Sequence, residues 1–237
     1  GDNPLSILTL NNKVITLSGN AVTSFLAKKG DLINMDLDGN GNKTYRVLKM
    51  DGNIAEVMAM YDTSTEMPPF DSKLSNIYTT FSEAAKAAIV SKNMYQYKYS
   101  YNRSVYNATT HASYIDYSTK VQVKSIGEKF VYAVDFENIE NYFNNIFSSK
   151  DLWLLFWNTM SRPTGKKDIW LSSATNYSDN PQEAKYIYIN CFSGWISDSV
   201  VMQRVNGKTN YNLYPIRPAF QIDLSKIPFT KTTEVIS

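Results

Sequence analysis

The fold is decided by Asp168-Ile-Trp-Leu-Ser-Ser-Ala174, Tyr186-Ile-Tyr-Ile-Asn-Cys-Phe-Ser-Gly-Trp-Ile-Ser197 and Pro215-Ile-Arg-Pro-Ala-Phe-Gln-Ile-Asp-Leu-Ser225. The apolar residues of these stretches cluster or alternate, and turn residues separate them. This pattern predicts a buried strand, then a hairpin turned at Ser193-Gly194, then a last strand that follows Arg217. The stretches contain no catalytic motif. They therefore indicate a β-rich structure rather than a particular chemistry.

Composition limits the class of protein. The chain has 237 residues, 43% of them hydrophobic and 19% charged, as in an ordinary globular domain. The net charge of +2 is too small to indicate a nucleic-acid partner. No apolar run approaches the roughly 20 residues of a membrane span. One Cys and one His exclude an internal disulfide and leave too few ligands for a structural zinc site.

Turn residues and hydrophobic periodicity predict elements along the rest of the chain. The predicted strands are a hairpin over residues 5–10 and 14–17, a three-strand meander over residues 31–60, and a strand over residues 129–134. The predicted helices cover residues 21–29, 82–90, 135–147 and 151–160. Residues 94–117 are rich in Tyr and poor in aliphatic residues, which is typical of a long excursion from the core.

The order of the elements indicates the fold class. Strands come first, helices lie in the middle and strands return, so we expect an α+β fold with a mainly antiparallel sheet. No repeat and no Ser/Gly/Pro linker interrupts the chain. We expect a single domain with residues 1–27 as an N-terminal arm or hairpin and residues 28–227 as the core.

The stretches Trp170-Leu-Ser-Ser-Ala174 and Ile216-Arg-Pro-Ala-Phe220 also carry a family resemblance. With the turn at Ser193-Gly194 between them, they are similar to a W-L-R-S-P … D-G-S-V … V-R-P-A-aromatic pattern. Upstream, Lys43-Thr-Tyr-Arg-Val-Leu48 resembles a W-R-V-L strand, and residues 130–143 resemble a strand followed by an E-x-x-x-Y-F helix. The chain thus resembles the bacterial domain of unknown function 6273 family over residues 31–227.

The resemblance implies a C-type-lectin-like fold, which formylglycine-generating enzymes and phage receptor-binding proteins share. It also implies a secreted, surface or phage-associated bacterial protein. We therefore expect an extracellular or cell-surface location, with a leader removed ahead of Gly1, where no initiator Met stands. Ser172 and Ala174 stand where the family has Arg and Pro, and the family's W-x-x-S-x-L-R segment is missing between Tyr61 and Phe81.

Aromatic residues provide the candidate ligand-binding surface. Tyr95, Tyr97, Tyr99 and Tyr101 alternate with other residues, so an extended chain places them on one face. Rigid aromatic rings beside small polar residues are typical of recognition surfaces. A half-buried strand that covers the core with Tyr is the alternative. The predicted contacts, including an exposed Trp after the hairpin turn, are Tyr97, Tyr99, Tyr101, Tyr106 and Trp195.

The loop Asp36-x-Asp38-x-Asn40-Gly41 resembles the first half of a calcium loop. Oxygen ligands at alternate positions and a Gly at the bend suit a hard cation. The twelfth position, which should be a bidentate Glu, is Val47, and the flanks are strand-like. A partial calcium site formed by Asp36, Asp38 and Asn40 is one prediction, and a polar hairpin turn is the other.

Candidate catalytic residues lack supporting patterns. The single His, His111, has no nucleophile signature beside it, and Cys191 has the alternation of a buried thiol. A formylglycine-generating activity needs a pair of thiols, and the chain has one. We expect Asp135, Glu137 and Glu140 to form a solvated helix start. We expect Arg217 to bind backbone carbonyls or a carboxylate.

The sequence therefore predicts a non-catalytic module that binds a glycan or a protein partner on a cell surface. Two alternatives remain open. A carboxylate-dependent glycan hydrolase predicts a deep cleft with two close carboxylates. A structural spacer of a larger surface protein predicts no concave patch.

Overall fold

A computed structural model describes residues 9–10, 13–14, 27–61, 63, 68–100, 104–107, 112–115, 119–156, 168–191 and 193–232. These residues form an α+β fold, as predicted. The helices of this part of the chain are α1 (Asp71–Thr80), α2 (Glu83–Ala88), α3 (Phe136–Phe143) and α4 (Ser149–Phe156).

The strands of the described residues carry most of the regular structure. The first six are β1 (Thr9–Leu10), β2 (Lys13–Val14), β3 (Leu32–Met35), β4 (Lys43–Asp51), β5 (Ile54–Ala59) and β6 (Ile89–Val90). The next six are β7 (Lys92–Ser100), β8 (Ser104–Asn107), β9 (Ala112–Ile115), β10 (Thr119–Lys129), β11 (Tyr132–Ala133) and β12 (Asp168–Asn176). The last six are β13 (Lys185–Asn190), β14 (Trp195–Val200), β15 (Met202–Val205), β16 (Lys208–Tyr211), β17 (Pro218–Asp223) and β18 (Thr230–Thr232).

Two sheets form the body of the protein. The five-stranded sheet has the order β10-β7-β12-β13-β14, and the seven-stranded sheet has the order β11-β17-β5-β4-β3-β18 with β6 beside β17. Neighbouring strands are antiparallel except β7 and β12, where Ala174 lies opposite Lys98 in a parallel pair. A parallel bridge between Trp170 and Ile216 joins β12 to the segment that leads into β17. The expected mainly antiparallel arrangement is confirmed.

Several predicted elements are confirmed where the chain is described. The strands β1 and β2 pair, β3 to β5 form the meander, and β13 and β14 form the hairpin. Helix α2 begins after Ser82, whose side chain accepts a hydrogen bond from the Ala85 N–H at 3.1 Å. The hydroxyl oxygen at this position bonds to a backbone N–H of the first helical turn, which has no partner within the helix.

Three predictions about elements were wrong or incomplete. Helix α1 was not predicted, because its sequence Asp-Ser-Lys-Leu-Ser-Asn-Ile-Tyr-Thr-Thr is polar and lacks a clear apolar stripe. Residues 27–29 of the helix predicted for residues 21–29 are not helical, and residues 21–26 lie outside the described part. The Tyr-rich excursion begins as β7, an interior strand of the five-stranded sheet.

Two clusters of buried side chains make up the core. The first core cluster joins one face of the seven-stranded sheet to α1 and α2, and it includes Ile33, Val47, Val57, Phe81, Ala85, Trp170 and Phe220. The second core cluster joins α3 and α4 to both sheets, and it includes Met58, Tyr99, Ile139, Leu155, Ile169, Ile187, Cys191 and Ile196. The predicted burial of Cys191 beside Ile187 and Ile189 is confirmed.

Two buried arginines hold the C-terminal end of α4. Arg46 on β4 donates to the carbonyl oxygens of Gly30 at 2.8 Å and Leu154 at 3.2 Å. Arg217 donates to the carbonyl oxygen of Phe156 at 2.6 Å, which confirms its predicted structural role. A charged donor forms a stronger hydrogen bond with a carbonyl oxygen than a neutral donor does. The two guanidinium groups therefore fix α4 against the rest of the fold.

Replacing Arg217 with Leu should lower the free energy of unfolding by about 2–4 kcal/mol, because the buried Phe156 carbonyl loses a charged donor. Urea unfolding measures the change. The matched control is Arg204→Leu on β15, where the side chain is exposed, and its effect should stay within about 0.5 kcal/mol. Equal effects of the two substitutions would contradict the role assigned to Arg217.

Candidate functional site

One row of side chains crosses three neighbouring strands at the end of the five-stranded sheet. Asp168 on β12 lies opposite Asn190 on β13, which lies opposite Trp195 on β14. Residues in register on paired strands share a face, so the three side chains lie in line. Asn190 Nδ2 donates to Asp168 Oδ1 at 2.9 Å. The Trp195 side chain, at the end of this row, is 63% exposed.

The hairpin turn fixes the backbone at Trp195. Asn190 Oδ1 accepts hydrogen bonds from the N–H and the hydroxyl of Ser193, both at 3.1 Å. Ser193 Oγ in turn accepts from the Trp195 N–H at 3.2 Å. Gly194 adopts a φ of 67°, which favours glycine. The indole is therefore exposed on a turn whose hydrogen bonds are satisfied.

Two tyrosines extend this row into a patch. Tyr188 lies on the Asn190 face of β13, and its ring lies 5.4 Å from that of Tyr214. The Tyr214 ring also packs on the buried Trp170 at 4.5 Å. Burial, the charge of Asp168 and Tyr188 together raise the pKa of Tyr214. We call the set Asp168, Tyr188, Asn190, Trp195 and Tyr214 the Trp195 patch.

The predicted tyrosine surface is only partly a surface. Tyr95, Tyr97 and Tyr99 share one face of β7, with ring centroids 6.3 and 6.4 Å apart. Tyr95 is 38% exposed, but Tyr99 is 1% exposed and packs in the second core cluster against Phe136 at 5.3 Å. The prediction that Tyr99 contacts a ligand is therefore wrong, because α3 covers this end of the strand.

Tyr97 lies between these extremes and is covered by a lysine. Lys120 Nζ lies 3.9 Å from the centre of the Tyr97 ring and 2.9 Å from Glu137 Oε1. Of the other predicted contacts, Tyr101 lies outside the described residues. Tyr106 lies in β8, and the structure does not describe its side chain. Their role in binding stays a prediction.

The tyrosines of β7 and Trp195 do not form one surface. Tyr97 and Tyr99 face the second core cluster, as does Ile196, the neighbour of Trp195. Successive residues of a strand point to opposite faces, so Trp195 faces away from that cluster. The described tyrosines and Trp195 thus lie on opposite faces of the five-stranded sheet. The expectation that both contribute to a single binding surface is wrong for these residues.

The loop that resembles a calcium site forms the turn between β3 and β4. Asp36 Oδ1 accepts from the Gly39 N–H at 2.8 Å, and Asp38 Oδ1 accepts from the Asn40 N–H at 3.0 Å. Burial opposes the ionisation of Asp38, but hydrogen bonds from Asn40 and Lys43 outweigh it and lower the pKa of Asp38. These contacts are those of a polar turn. Among the described residues, no three His, Cys, Asp or Glu side chains cluster as metal ligands.

Sequence reasoning missed a buried carboxylate, Glu56. Glu56 Oε1 accepts from Asn138 Nδ2 at 2.8 Å, and Glu56 Oε2 accepts from Lys92 Nζ at 2.9 Å and from the Tyr132 hydroxyl. Its position in the apolar run Ile54-Ala-Glu-Val-Met-Ala-Met60 was the available signal. A carboxylate in a buried strand needs partners, and those partners mark a polar network.

Glu56 lies in a polar cleft of about 620 Å³ that Glu137 also lines. This is the described site that comes nearest to the glycan-hydrolase alternative. Such an enzyme needs one carboxyl group that gives up a proton and a second that acts as base or nucleophile. Here Lys92 pairs with Glu56 and Lys120 pairs with Glu137. Both carboxylates are thus engaged by lysines.

The expectation that Asp135 belongs to a solvated helix start is wrong. Asp135 is buried and caps α3, because its Oδ1 accepts from the Asn138 N–H at 2.8 Å while its own N–H donates to Asn138 Oδ1 at 3.1 Å. Burial raises the pKa of Asp135 to about 6, although the Asn138 N–H and the charge of Lys92 oppose the shift. Glu137 and Glu140 are only partly buried.

Asp135 should make stability depend on pH in a defined direction. Between about pH 4 and pH 6 the folded chain keeps a proton on Asp135 that the unfolded chain has released. Its contribution to stability is therefore complete below about pH 4 and falls by roughly 2–3 kcal/mol as pH rises through 6. Asp135→Asn keeps the capping oxygen but does not titrate. As pH rises from 4 to 6, the free energy of unfolding of the variant, measured in urea, should rise relative to that of the unchanged protein. A difference between the two proteins that stays constant over this range would contradict the assignment.

Gly194 permits the hairpin to approach α4. A Cβ at this position would overlap the carbonyl oxygen of Ser149. The matched position is Gly207, which has a φ of 74° but open space around a Cβ. We expect Gly194→Ala to destabilise the fold by about 1–3 kcal/mol more than Gly207→Ala, because both pay the cost of positive φ and only the first adds overlap. Thermal unfolding of the two variants measures the difference, and equal losses would contradict the close approach.

A scan against protein-family models, a search of curated proteins and a search of solved structures each found no match to this chain. The resemblance to the domain of unknown function 6273 family and to C-type lectins therefore stays a prediction. No helix in the described part of the chain is long and apolar enough to cross a membrane.

Proposed function

We propose that this chain is a non-catalytic binding module and that its partner is a glycan held at the Trp195 patch. The exposed indole of Trp195, in register with Asn190 and Asp168, is the observation that carries the proposal. Trp is among the residue types that contribute most of the binding energy at protein interaction sites, and here its exposed ring lies beside polar groups.

The chemistry of the patch matches that of a sugar. A sugar ring has an apolar C–H face, which packs on an aromatic ring, and hydroxyl groups, which donate and accept hydrogen bonds. Asp168 provides acceptors, and the Tyr188 and Tyr214 hydroxyls provide donors and acceptors. Two strand spacings separate Asp168 from Trp195, on the order of 10 Å. This span fits one or two sugar rings.

The patch is also organised before a ligand arrives. The bonds from Asn190 to Asp168 and Ser193, and from Ser193 to Trp195, hold it on paired strands. A rigid site loses little conformational entropy on binding. This favours a recognition module, since weak single contacts with a glycan give useful affinity only when ordering costs little.

The finer fold assignment and the location belong to the same proposal. We assign the core to the C-type-lectin-like fold of the domain of unknown function 6273 family, and the protein to the cell surface or exterior. The two motif stretches lie side by side, since the Trp170 N–H donates to the Pro215 carbonyl at 3.0 Å and Trp170 bridges Ile216. This adjacency supports the resemblance without depending on the glycan.

The first test is a glycan array with the purified chain, in calcium and again in EDTA. We expect specific binding to at least one glycan. Binding lost in EDTA would assign Asp36, Asp38 and Asn40 as a metal site, and binding unchanged in EDTA would remove that prediction. A silent array combined with capture of a defined surface protein would replace the glycan by a protein partner.

Trp195→Ala should weaken binding of the identified glycan at least tenfold, which corresponds to about 1.4 kcal/mol, because the stacking ring is lost. Titration calorimetry measures the dissociation constant. The matched control is Tyr211→Ala, which removes an exposed aromatic ring (51% exposed) from β16. Unchanged affinity after Trp195→Ala would refute the assignment of the patch.

A further inference from the structure

A cavity separate from the Trp195 patch and from the Glu56 cleft lies between α1, β7, β10 and the segment that leads into β11. It is a cavity of about 320 Å³. Small-molecule sites in proteins start at roughly 300 Å³, so the cavity suits a ligand of one or two rings. Its walls include Leu74, Tyr78, Gln96, Ile126, Phe130 and Ser172.

Aromatic rings line much of this cavity. The rings of Tyr78 on α1 and Phe130 are stacked, with centroids 4.7 Å apart and planes 11° apart. Phe130 nevertheless remains 40% exposed. Tyr177, also in the wall, lies under Lys124 Nζ at 4.7 Å. A flat apolar ligand would gain stacking contacts and would remove aromatic surface from water.

One polar side chain in the wall, Gln96, has an amide oxygen that no described residue bonds to. Gln96 is 8% exposed, and its Nε2 donates to the carbonyl oxygens of Tyr97 at 3.3 Å and Ser172 at 3.2 Å. These two acceptors fix the orientation of the amide, because the reversed amide would place oxygen against oxygen. Gln96 Oε1 accepts no hydrogen bond from the described residues. A hydrogen-bond donor on a ligand that enters the cavity can bond to this oxygen.

We propose that this cavity binds a small neutral aromatic molecule with one N–H or O–H group, of the indole or phenol class, and that Gln96 Oε1 accepts its hydrogen bond. The apolar walls disfavour a charged ligand, since an ion would lose its hydration there. The charges at the rim have both signs, from Lys124, Glu128 and Lys129. They select neither an anion nor a cation.

The site is independent of the glycan proposal. Gln96 lies on β7 and Trp195 lies on β14, with β12 and β13 between them. Trp195→Ala should therefore leave aromatic binding unchanged. Failure of one proposal leaves the other standing.

The test compares four ligands by titration calorimetry on the full chain. Indole and 3-methylindole carry the N–H donor, whereas 1-methylindole has the same added methyl group but no donor. We expect 3-methylindole to bind at least tenfold more tightly than 1-methylindole, since only the former reaches Gln96 Oε1. N-acetyltryptophanamide distinguishes a peptide side chain from a free molecule as the source of the ring. Equal affinities of the two methylindoles, or binding of none of the four compounds, would overturn the proposal.

Substitutions on α1 locate the binding without disturbing the core. Ser75 and Asn76 are both exposed and adjacent, but Ser75 lines this cavity and Asn76 lines a different one. Ser75→Trp should block part of the cavity and lower the affinity for indole at least tenfold, and Asn76→Trp should leave this affinity unchanged. Equal behaviour of the two variants would place the ligand elsewhere. Gln96→Leu, if folded, should remove the preference for 3-methylindole while keeping the binding of 1-methylindole.

Discussion

The hydrogen bonds from two buried guanidinium groups to the C-terminal end of α4 are the constraint on which the rest of the structure depends. Arg46 reaches this helix end from β4, and Arg217 reaches it from the segment before β17, so both tie α4 to the seven-stranded sheet. At the other end of α4, the Ser149 carbonyl lies against Gly194, in the turn before Trp195. The arginines thus anchor the helix whose first residue contacts the hairpin that carries Trp195.

The strand β7 shows how one segment contributes to two different regions. Its odd-numbered tyrosines run from the surface at Tyr95 into the core at Tyr99, and Lys120 covers the ring between them. On the opposite face Gln96 donates to the Ser172 carbonyl and lines the apolar cavity. Because Tyr99 lies in the second core cluster and Tyr97 packs against it, these tyrosines support the fold more than they recognise a partner.

Local patterns were enough for a good part of the fold. The meander, the helices that follow Ser82 and Asp135, and the hairpin at Ser193-Gly194 could all be predicted, because their signals lie within a few residues of one another. Helix α1 (Asp71–Thr80) escaped prediction because its polar sequence has little intrinsic helical signal, and packing of Leu74 and Tyr78 on the core holds it in place.

The sequence by itself determined which residues share a face, which turns the strands make, and that Arg217 and Cys191 are structural. It also determined that Trp195 follows a tight turn. Only the tertiary structure decided which faces are covered. Tyr99 is buried because Phe136 of α3 packs on it, Asp135 is buried at the start of that helix, and Gln96 meets a carbonyl 76 positions away in the chain. Periodicity is a local property of the backbone, whereas burial and the pairing of polar groups depend on contacts between distant segments, and those contacts created both candidate sites.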